Sequence, residues 1–309
     1  MDIKVSVIIP TYKRSEFLER AIDSILKQTF SNIEIVVVDD NNPDSNFRLE
    51  TETKMSKYTN NNKVVYIKNQ KNLGGALARN QGIWKASGDY VTFLDDDDIY
   101  LPDKINDQIK YMLKNELDMS FTNVRIHNLE NKLVDYREHP YVTSLLNEEL
   151  LKQHLLHHLT PTATYMYKKE TLINIGGFDD VKVGQEFKLM LKTIESGIKI
   201  GYVPQAHVIQ YLHDGERISI GQNKIKGEKE LYNFKKRYFR LLNSNQKRYI
   251  TFRHHAVMMF VGLRSKKYGI LIKHLLLALF TSPKDCTIEI INHIQKIRKH
   301  GLNTLEKKA

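Results

Sequence analysis

The sequence contains little cysteine, tryptophan or proline. Among its 309 residues there are one cysteine, one tryptophan and 7 prolines. Cys286 can form no disulfide within the chain, and no second cysteine stands near it to complete a paired-cysteine metal site. This composition excludes a disulfide-stapled secreted domain and a collagen-like or proline-rich disordered chain. It favours a globular protein of the reducing cytoplasm.

Long apolar runs and a leader pattern are also lacking. Residues 1–4 lead straight into a strand-like stretch without the segments of a signal peptide, so we expect no secretion. The longest apolar stretch, residues 269–281, is interrupted by Lys273 and His274. It falls short of the roughly 20 residues that a membrane-spanning helix needs. We therefore expect no transmembrane helix.

The excess positive charge lies at one end of the chain. Residues 1–221 contain 27 basic and 31 acidic residues, whereas residues 222–309 contain 20 basic and 5 acidic ones. The same boundary separates alternating strand and helix patterns from helix-like stretches without obvious strands. We predict two domains, one at 1–221 and a basic α-helical region at 222–309.

Strand and helix patterns alternate in the first domain. Apolar, β-branched runs of strand length lie at 5–9, 33–38, 64–67 and 90–94. One helix face is predicted from Leu18, Ala21, Ile22, Ile25 and Leu26, and a further helix from 75–86. This order is typical of an α/β fold with a mainly parallel central sheet and helices on both faces. In such sheets, ligands bind beyond the carboxyl ends of the strands.

Polar groups follow three of these strands, and the strongest signal is the run of four aspartates Asp95–Asp98. Residues 10–14 follow the first strand, and Asp39 and Asp40 follow the second. Packed carboxylates repel one another and raise one another's pKa unless a cation compensates them, so the run predicts a divalent metal site. The alternative is a solvated acidic turn before a helix near Pro102.

A paired glycine precedes the predicted helix at 75–86. Gly74 and Gly75 allow a close approach to the backbone, and Arg79 stands one to two turns into the helix. A phosphate group fits such a helix start. The alternative is an ordinary helix start whose arginine pairs with a local carboxylate.

Several segments occur together in an order that resembles a known family. They are PTYKR at 10–14, VVVDD at 36–40, NLGGALARNQG at 72–82, GDYVTFLDDDDIYLPDK at 88–104, GGFD at 176–179, GQEFKL at 184–189 and YLH at 211–213. The series resembles the nucleotide-sugar-binding half of the family 2 glycosyltransferases, which have the GT-A fold, over about residues 3–215. The resemblance implies a mixed, mainly parallel sheet and a nucleotide-sugar-binding catalytic domain at 1–221.

The resemblance also implies roles for individual residues. Asp40 corresponds to the carboxylate that reads the uracil edge. The residues implied to line the nucleotide site are Pro10, Thr11, Tyr12, Arg14, Asn72 and Arg79. In the DxD position, Asp95 is expected to face the ribose and donor sugar, Asp96 to lie in the same nucleotide-sugar site, and Asp97 to bind Mn2+ or Mg2+. Because Asp96 and Asp98 are also acidic, the register within 95–98 stays open.

Two further residues are implied in the chemistry. Glu186 matches the carboxylate that deprotonates the acceptor hydroxyl, although the commoner residue there is the shorter aspartate. The alternative for Glu186 is a glutamate that only favours the start of its helix through the macrodipole. His213 matches a second metal ligand, because a neutral imidazole beside carboxylates suits such an ion. The alternative for His213 is an ordinary surface or core histidine.

Together these features predict a metal-dependent, inverting glycosyltransferase that uses a UDP-sugar and forms no covalent intermediate. The expected acceptor is a hydroxyl of a glycan or lipid-linked saccharide in bacterial capsule or cell-wall polysaccharide synthesis. One alternative is a nucleotide-sugar-forming nucleotidyltransferase, which needs a glycine-rich basic loop where this chain has Thr11–Arg14 without glycine. Another is a non-catalytic sugar-nucleotide sensor, if Glu186 is not a base.

The sequence of the basic region at 222–309 allows three interpretations of its function. Basic amphipathic helices bind anionic membrane surfaces, which places the protein on the inner face of the cell membrane. Alternatively, the helices pack their apolar faces on the catalytic domain or on a second subunit, giving a homo-oligomer. The charge and interleaved aromatic residues also suit nucleic acid, but no recognised nucleic-acid motif occurs, and we do not expect that partner.

Overall fold

The computed structural model describes residues 3–181, 184–212 and 221–301. The strands in chain order are β1 (Val5–Thr11), β2 (Ile33–Asp39), β3 (Val64–Lys68), β4 (Tyr90–Phe93), β5 (Ile99–Tyr100), β6 (Met119–Thr122), β7 (Val124–Asn128), β8 (Leu133–Arg137), β9 (Met166–Lys168), β10 (Ile200–Val203) and β11 (Val208–Leu212). The α-helices are α1 (Ser15–Leu26), α2 (Asn46–Ser56), α3 (Gly75–Lys85), α4 (Lys104–Lys114), α5 (Asn147–His157), α6 (Lys169–Asn174), α7 (Gln185–Glu195), α8 (Gly221–Lys236), α9 (Ser244–Arg264), α10 (Tyr268–Thr281) and α11 (Pro283–His300).

A seven-stranded sheet forms the centre of the molecule, in the order β10-β6-β9-β4-β1-β2-β3. The pairs of β1 with β2, β1 with β4, β2 with β3, and β6 with β10 are parallel. Only β9 runs antiparallel to its neighbours β4 and β6. The mixed, mainly parallel sheet that the sequence predicts is therefore confirmed.

The central strands are buried on both faces, because successive side chains of β1 belong to different apolar clusters. Val7 and Ile9 pack in the cluster that contains the inward face of α1. Ile8 packs in the opposite cluster, which contains residues of α3 and α7. This burial on both faces explains why the strands are near-continuous apolar runs. It also directs the polar residues that follow each strand to the open edge of the sheet.

A second sheet covers one end of that edge. It has four strands in the order β5-β11-β7-β8. β5 begins directly after the four aspartates, and Ile99 pairs with Ile209 of β11. The end of β11 is thereby brought beside the acidic loop, although the two are more than 100 residues apart in the chain.

The region after residue 221 is helical, as predicted. α8 and α9 share an apolar cluster with α5 and α7 whose buried members are Leu155, Leu156, Phe187, Leu191, Leu242 and Ile250. α11 reaches β8, where Lys296 Nζ lies 2.6 Å from Asp135 Oδ1. These helices therefore pack on the rest of the chain. The division into two domains at residue 221 stays a prediction.

Within the described ranges, no helix combines the length and the apolar character that crossing a membrane requires.

Candidate active site

Three strand ends meet at one edge of the central sheet. The register places Thr11 of β1 beside Asp39 of β2, and Ile8 of β1 beside Phe93 of β4. The segments that follow these strands therefore converge, as the sequence predicts. Each carries the polar residues expected of a ligand site.

Three of the four consecutive aspartates form a compact group. Asp95, Asp97 and Asp98 each offer one carboxylate oxygen, and these three atoms all lie within 4.8 Å of one another. Asp96 is not part of this group and is fully buried, with Oδ1 2.8 Å from Arg14 Nη2. Carboxylate oxygens are the donors that Mg2+ and Mn2+ prefer. The donor set thus fits a divalent ion, and it includes Asp98, which the sequence left open.

Three arginines hold this loop in place. Arg14 Nη1 lies 2.6 Å from Asp97 Oδ2, and Arg79 Nη2 pairs with Asp95 Oδ1. Arg20 Nη2 donates to the backbone carbonyl of Asp97 at 2.5 Å. All three bonds carry the charge of an arginine, and such charge-assisted hydrogen bonds are short and directional, so they restrict the loop. The alternative reading of Arg79, pairing with a local carboxylate, is thus present in the structure.

The arginines do not neutralise the whole acidic loop. Burial raises the pKa of Asp98 well above its ordinary value, and the charges of Asp97 and Asp95 raise it further, against hydrogen bonds from Tyr211 and Gln210. Burial likewise raises the pKa of Asp96, although Arg14 opposes the shift. Burial and mutual repulsion therefore disfavour the charged form of these carboxyl groups. A cation bound at this edge would stabilise that form, so the loop favours cation binding.

Asp40 organises the loop before α3. Its Oδ1 accepts hydrogen bonds from Asn69 Nδ2 at 2.8 Å and from the Leu73 N–H at 2.9 Å. Its Oδ2 accepts from Asn72 Nδ2 at 3.0 Å and from the Gly74 N–H at 2.8 Å. A carboxylate has about four acceptor positions, so a uracil N–H would compete with these loop groups. The role of Asp40 in reading uracil stays a prediction.

An aromatic rim lies beside the end of β1. The Lys13 ammonium is 5.1 Å from the ring centre of Tyr12 and 5.4 Å from that of Phe47 on α2. Both rings are partly exposed, whereas Thr11 is buried and Pro10 is half-buried at the end of the strand. Of the three residues predicted to form the wall of the nucleotide pocket, Tyr12 is thus exposed, while Thr11 and Pro10 support it. Phe47 adds a second exposed ring.

The start of α7 lies against α3. Gln185 Oε1 accepts a hydrogen bond from Arg79 Nη1 at 3.3 Å, which brings the predicted base, Glu186, to the same side of the sheet as the acidic loop. Glu186 is half-buried, in the first turn of α7. Within the described part of the chain, no hydrogen bond or ion pair engages its carboxylate. A carboxylate with these properties is available to accept a proton.

His213 lies outside the described residues. β11 ends one residue earlier, at Leu212. The backbone N–H of Tyr211 donates to Asp98 Oδ1 at 3.0 Å, so the strand that leads to His213 touches the acidic loop. The metal-ligand role of His213 stays a prediction.

Sequence reasoning missed three residues that the structure brings to the site, and it left the role of a fourth, Asp98, open. Arg20 stacks on Tyr211 at 4.0 Å and bonds to the acidic loop, Gln185 meets Arg79, Phe47 joins the rim, and Asp98 joins the carboxylate group. Arg20 and Gln185 are polar helix residues whose partners are distant in sequence. Only Asp98 had a visible signal, the unbroken acidic run.

Comparison with known proteins places this geometry in a family. The model of glycosyl transferase family 2 matches residues 6–178. The chain is 28% identical to an uncharacterized glycosyltransferase of Rickettsia typhi over 97% of this chain and 93% of the relative. It is 40% identical over 134 residues to one of Rickettsia felis, 43% of this chain but only 21% of that protein's length. It is also 35% identical to the Escherichia coli UDP-Glc:alpha-D-GlcNAc-diphosphoundecaprenol beta-1,3-glucosyltransferase WfgD, over 41% of this chain and 48% of that relative.

Solved structures of similar fold cover nearly the whole chain. Staphylococcus aureus TarS 1–349 in complex with UDP-GlcNAc is 18% identical, with a TM-score of 0.60, over 90% of this chain and 89% of that one. The mannosyltransferase PcManGT of Pyrobaculum calidifontis, in complex with GDP-Man and Mn2+, is 15% identical, with a TM-score of 0.57, over 91% and 87%. At these identities the likeness shows the fold alone, and the predicted GT-A fold is confirmed.

Proposed function

The chain belongs to glycosyl transferase family 2, and we propose that it moves a sugar from a UDP-sugar to an acceptor hydroxyl with inversion at the anomeric carbon. One observation carries this proposal. Asp95, Asp97 and Asp98 each place a carboxylate oxygen within 4.8 Å of the other two at the open edge of the sheet, and Arg79, which pairs with Asp95, also contacts Gln185, the neighbour of Glu186. An acidic centre beside a candidate base suits the departure of a diphosphate and the activation of a hydroxyl.

Asp95, Asp97 and Asp98 are the residues that would hold a divalent cation. When bound, such an ion supplies Lewis-acid stabilisation to the charge of a leaving diphosphate. Arg79 and Arg14 contribute fixed positive charge at the same edge and keep the loop aspartates in place. The Asn72–Gly74 loop, held by Asp40, brings the backbone close to the same edge.

Glu186 is the proposed general base. It would take the proton of the acceptor hydroxyl as that oxygen attacks the anomeric carbon from the face opposite the leaving group. The bond to the diphosphate breaks as the new glycosidic bond forms, so the configuration inverts in one displacement. No enzyme nucleophile and no covalent intermediate are required.

The proposed donor and acceptor draw on the relatives. TarS was solved with UDP-GlcNAc, and the name of WfgD gives UDP-Glc as donor and a sugar linked to diphosphoundecaprenol as acceptor. We propose a UDP-sugar donor and a glycan or lipid-linked saccharide acceptor, in assembly of a capsule or cell-wall polysaccharide. The exposed rings of Tyr12 and Phe47 provide a surface on which a flat base can stack.

A thermal-shift panel tests the proposed donor. UDP, GDP and their common sugar conjugates are added to the full chain with Mn2+, with Mg2+ or with EDTA. We expect one UDP-sugar to raise the melting temperature in a metal-dependent way, because a ligand that binds only the folded state stabilises it. Release of UDP on addition of lipid-linked saccharide then measures transfer. Stabilisation by GDP-sugars alone, or by none in the presence of metal, contradicts the proposal.

We also propose that α10 and α11 attach the protein to an anionic membrane surface. These helices expose large apolar side chains, with Phe280 83%, Tyr268 62% and Ile290 61% accessible. Exposed Lys266, Lys273 and Lys284 lie on the same two helices or beside them. Apolar groups that insert and lysines that meet lipid phosphates together suit an interfacial helix pair. Such attachment would bring a lipid-linked acceptor to the catalytic edge.

A further inference from the structure

A cluster of three histidines lies in the C-terminal helices, separate from the catalytic edge. His254 and His255 are on α9 and His274 is on α10. One ring nitrogen of each lies within 4.8 Å of a ring nitrogen of the other two. His254 and His274 are buried and His255 is half-buried. The glycosyl transfer proposed above makes no use of these residues.

The spacing of the rings matches that of imidazoles around one tetrahedral ion. The ring centres are 5.3 Å apart for His254 and His255, 6.0 Å for His254 and His274, and 5.1 Å for His255 and His274. The Nδ1 atoms of His255 and His274 are 3.1 Å apart. In tetrahedral zinc sites, ligating nitrogens lie about 3.4 Å apart and imidazole centres about 5 Å apart, as the Zn–N bond length requires. The Nδ1 atoms of His255 and His274 share a hydrogen bond, which a bound ion would replace.

A buried carboxylate orients one of these rings. Glu228 Oε1 on α8 lies 3.2 Å from His254 Nδ1, and both side chains are buried. A histidine whose Nδ1–H donates to a carboxylate presents a lone pair on Nε2. Metal-binding histidines commonly have this arrangement, in which the carboxylate fixes the tautomer and strengthens the ligand. The stacked ring of Tyr232, 4.2 Å from that of His254, restricts its rotation further.

The three imidazoles lie between the helices, with two of the rings buried and the third half-buried. Nitrogen donors select Zn2+, Co2+, Ni2+ and Cu2+, whereas Mg2+ prefers carboxylate and water oxygens.

We propose that His254, His255 and His274 bind one transition-metal ion of the zinc class, with Glu228 as the positioning residue for His254. The ion would join α9 to α10 and, through Glu228, to α8. The histidine site and the aspartate site differ in donor chemistry, so one chain would hold two kinds of metal, each at its own place.

Cobalt provides the direct test. Co2+ bound by nitrogen ligands in a tetrahedral site absorbs strongly in the visible range, whereas Co2+ held by carboxylates and water absorbs weakly. The metal-free full chain is titrated with Co2+ and then with Zn2+. We expect a strong visible band that saturates at one equivalent and disappears when Zn2+ replaces the ion.

Variants locate the ion. His274→Asn should abolish the band, and Glu228→Gln should weaken Co2+ binding by about 10–100-fold, as loss of an outer-shell partner does. His293→Asn alters an exposed histidine of α11 and should leave the titration unchanged, and Asp97→Asn, at the catalytic edge, should also leave it unchanged. If His274→Asn fails to fold, His255→Asn replaces it, because that side chain is half-buried.

Three results would overturn the proposal. They are a wild-type titration without the band, a band that survives both His255→Asn and His274→Asn, and a band that disappears in Asp97→Asn. The melting temperature gives an independent measurement. Zn2+ should raise it in the wild type and in Asp97→Asn but not in His274→Asn, and equal increases in all three would also contradict the assignment.

Discussion

A single substitution can distinguish the two possible roles of Glu186. As a general base it accepts the proton of the acceptor hydroxyl, and as a first-turn glutamate it only favours the start of α7. We expect Glu186→Gln to lower kcat by about 100-fold to 10,000-fold, as loss of a general base does, while binding of the UDP-sugar is kept. UDP release measures transfer, and thermal shift measures donor binding.

Two control variants accompany Glu186→Gln. Glu170→Gln changes an exposed first-turn glutamate of α6 and should leave transfer unaffected. Asp97→Asn should abolish metal-dependent donor binding, which Glu186→Gln retains. Full activity in Glu186→Gln would remove the base assignment and leave the macrodipole reading.

His154 supports the start of α7 only while its ring is neutral. Its Nε2 lies 2.9 Å from the carbonyl oxygen of Phe187, and its Nδ1 accepts a hydrogen bond from the Leu159 N–H at 3.0 Å. A protonated ring has no acceptor atom, so the second bond would break. Burial accordingly lowers the pKa of His154 to about 3, although the bond to the Phe187 carbonyl opposes the shift.

This geometry predicts loss of stability in acid. The unfolded chain binds a proton on His154 near pH 6.5 and the folded chain only near pH 3, so the free energy of unfolding decreases as the pH falls between these values. The loss attributable to His154 is about 2 kcal/mol between pH 7 and pH 5. Urea unfolding at both pH values measures it. His154→Gln should unfold more easily at pH 7 and show a smaller pH dependence, and an unchanged pH dependence would contradict the account.

At the scale of elements, the sequence predicted well the strands and helices whose inward faces are apolar. β1 to β4, α1 and α3 follow the predicted runs closely. α2 was not predicted, because its buried residues are Arg48, Thr51 and Met55, a face that shows no apolar period. Arg48 instead pairs with buried Asp39, with Nε 3.0 Å from Oδ2. Apolar periodicity cannot reveal a helix held by a buried ion pair.

Local sequence patterns also could not predict strand direction or contacts between residues that are distant in the chain. β9 has only three residues, Met166–Lys168, and nothing in so short a pattern indicates that it runs antiparallel to β4 and β6. The contact of Arg79 with Gln185 joins residues 106 positions apart, so only the folded sheet shows it. The acidic run and the order of the motifs, in contrast, are visible in the sequence because each is local.

The loop before α7 depends on a glycine in contact with α3. Gly177 has φ of +57°, and a Cβ there would lie 2.6 Å from Asn80 Oδ1. Asn80 holds this loop through two 2.8 Å hydrogen bonds, to the N–H and to the carbonyl oxygen of Phe178. Gly176 also has positive φ, +82°, but a Cβ there meets nothing closer than Lys192 Nζ at 3.9 Å. Gly176 is therefore a matched control for Gly177, because both have positive φ but only Gly177 is close to Asn80.

We expect Gly177→Ala to destabilise the protein more than Gly176→Ala. Both variants bear the cost of a left-handed alanine, about 1–2 kcal/mol, but only Gly177→Ala also displaces Asn80. Urea unfolding measures the difference, which should shrink when both substitutions are made in an Asn80→Ala background. Equal losses in the wild-type background would show that the contact with Asn80 does not hold the loop.

At the scale of the whole molecule, the C-terminal helices have two different surfaces. α8 and α9 bury apolar residues against α5 and α7, and Lys299 at the end of α11 lies 2.8 Å from Glu138. α11, however, has no buried residue, and α10 buries only His274 and Ala278. The sequence offered membrane binding and packing on the catalytic domain as alternatives. In the described packing, α8 and α9 bury their apolar faces, whereas α10 and α11 leave large apolar side chains exposed, which is the surface that the membrane proposal uses.

Sedimentation with lipid vesicles tests whether α10 and α11 bind a membrane. We expect the wild type to bind vesicles that contain anionic lipid, and to bind less as salt rises, because each lysine near the surface contributes about 1 kcal/mol that salt screens. Phe280→Ser combined with Leu276→Ser should release the protein, since the apolar insertion is lost. Trp84→Ser removes a similarly exposed aromatic side chain on α3 and should leave binding intact.

One outcome would contradict membrane attachment by α10 and α11. It is a double variant that binds vesicles as the wild type does and changes only the oligomeric mass in light scattering. The apolar face would then serve contact between two copies of the chain.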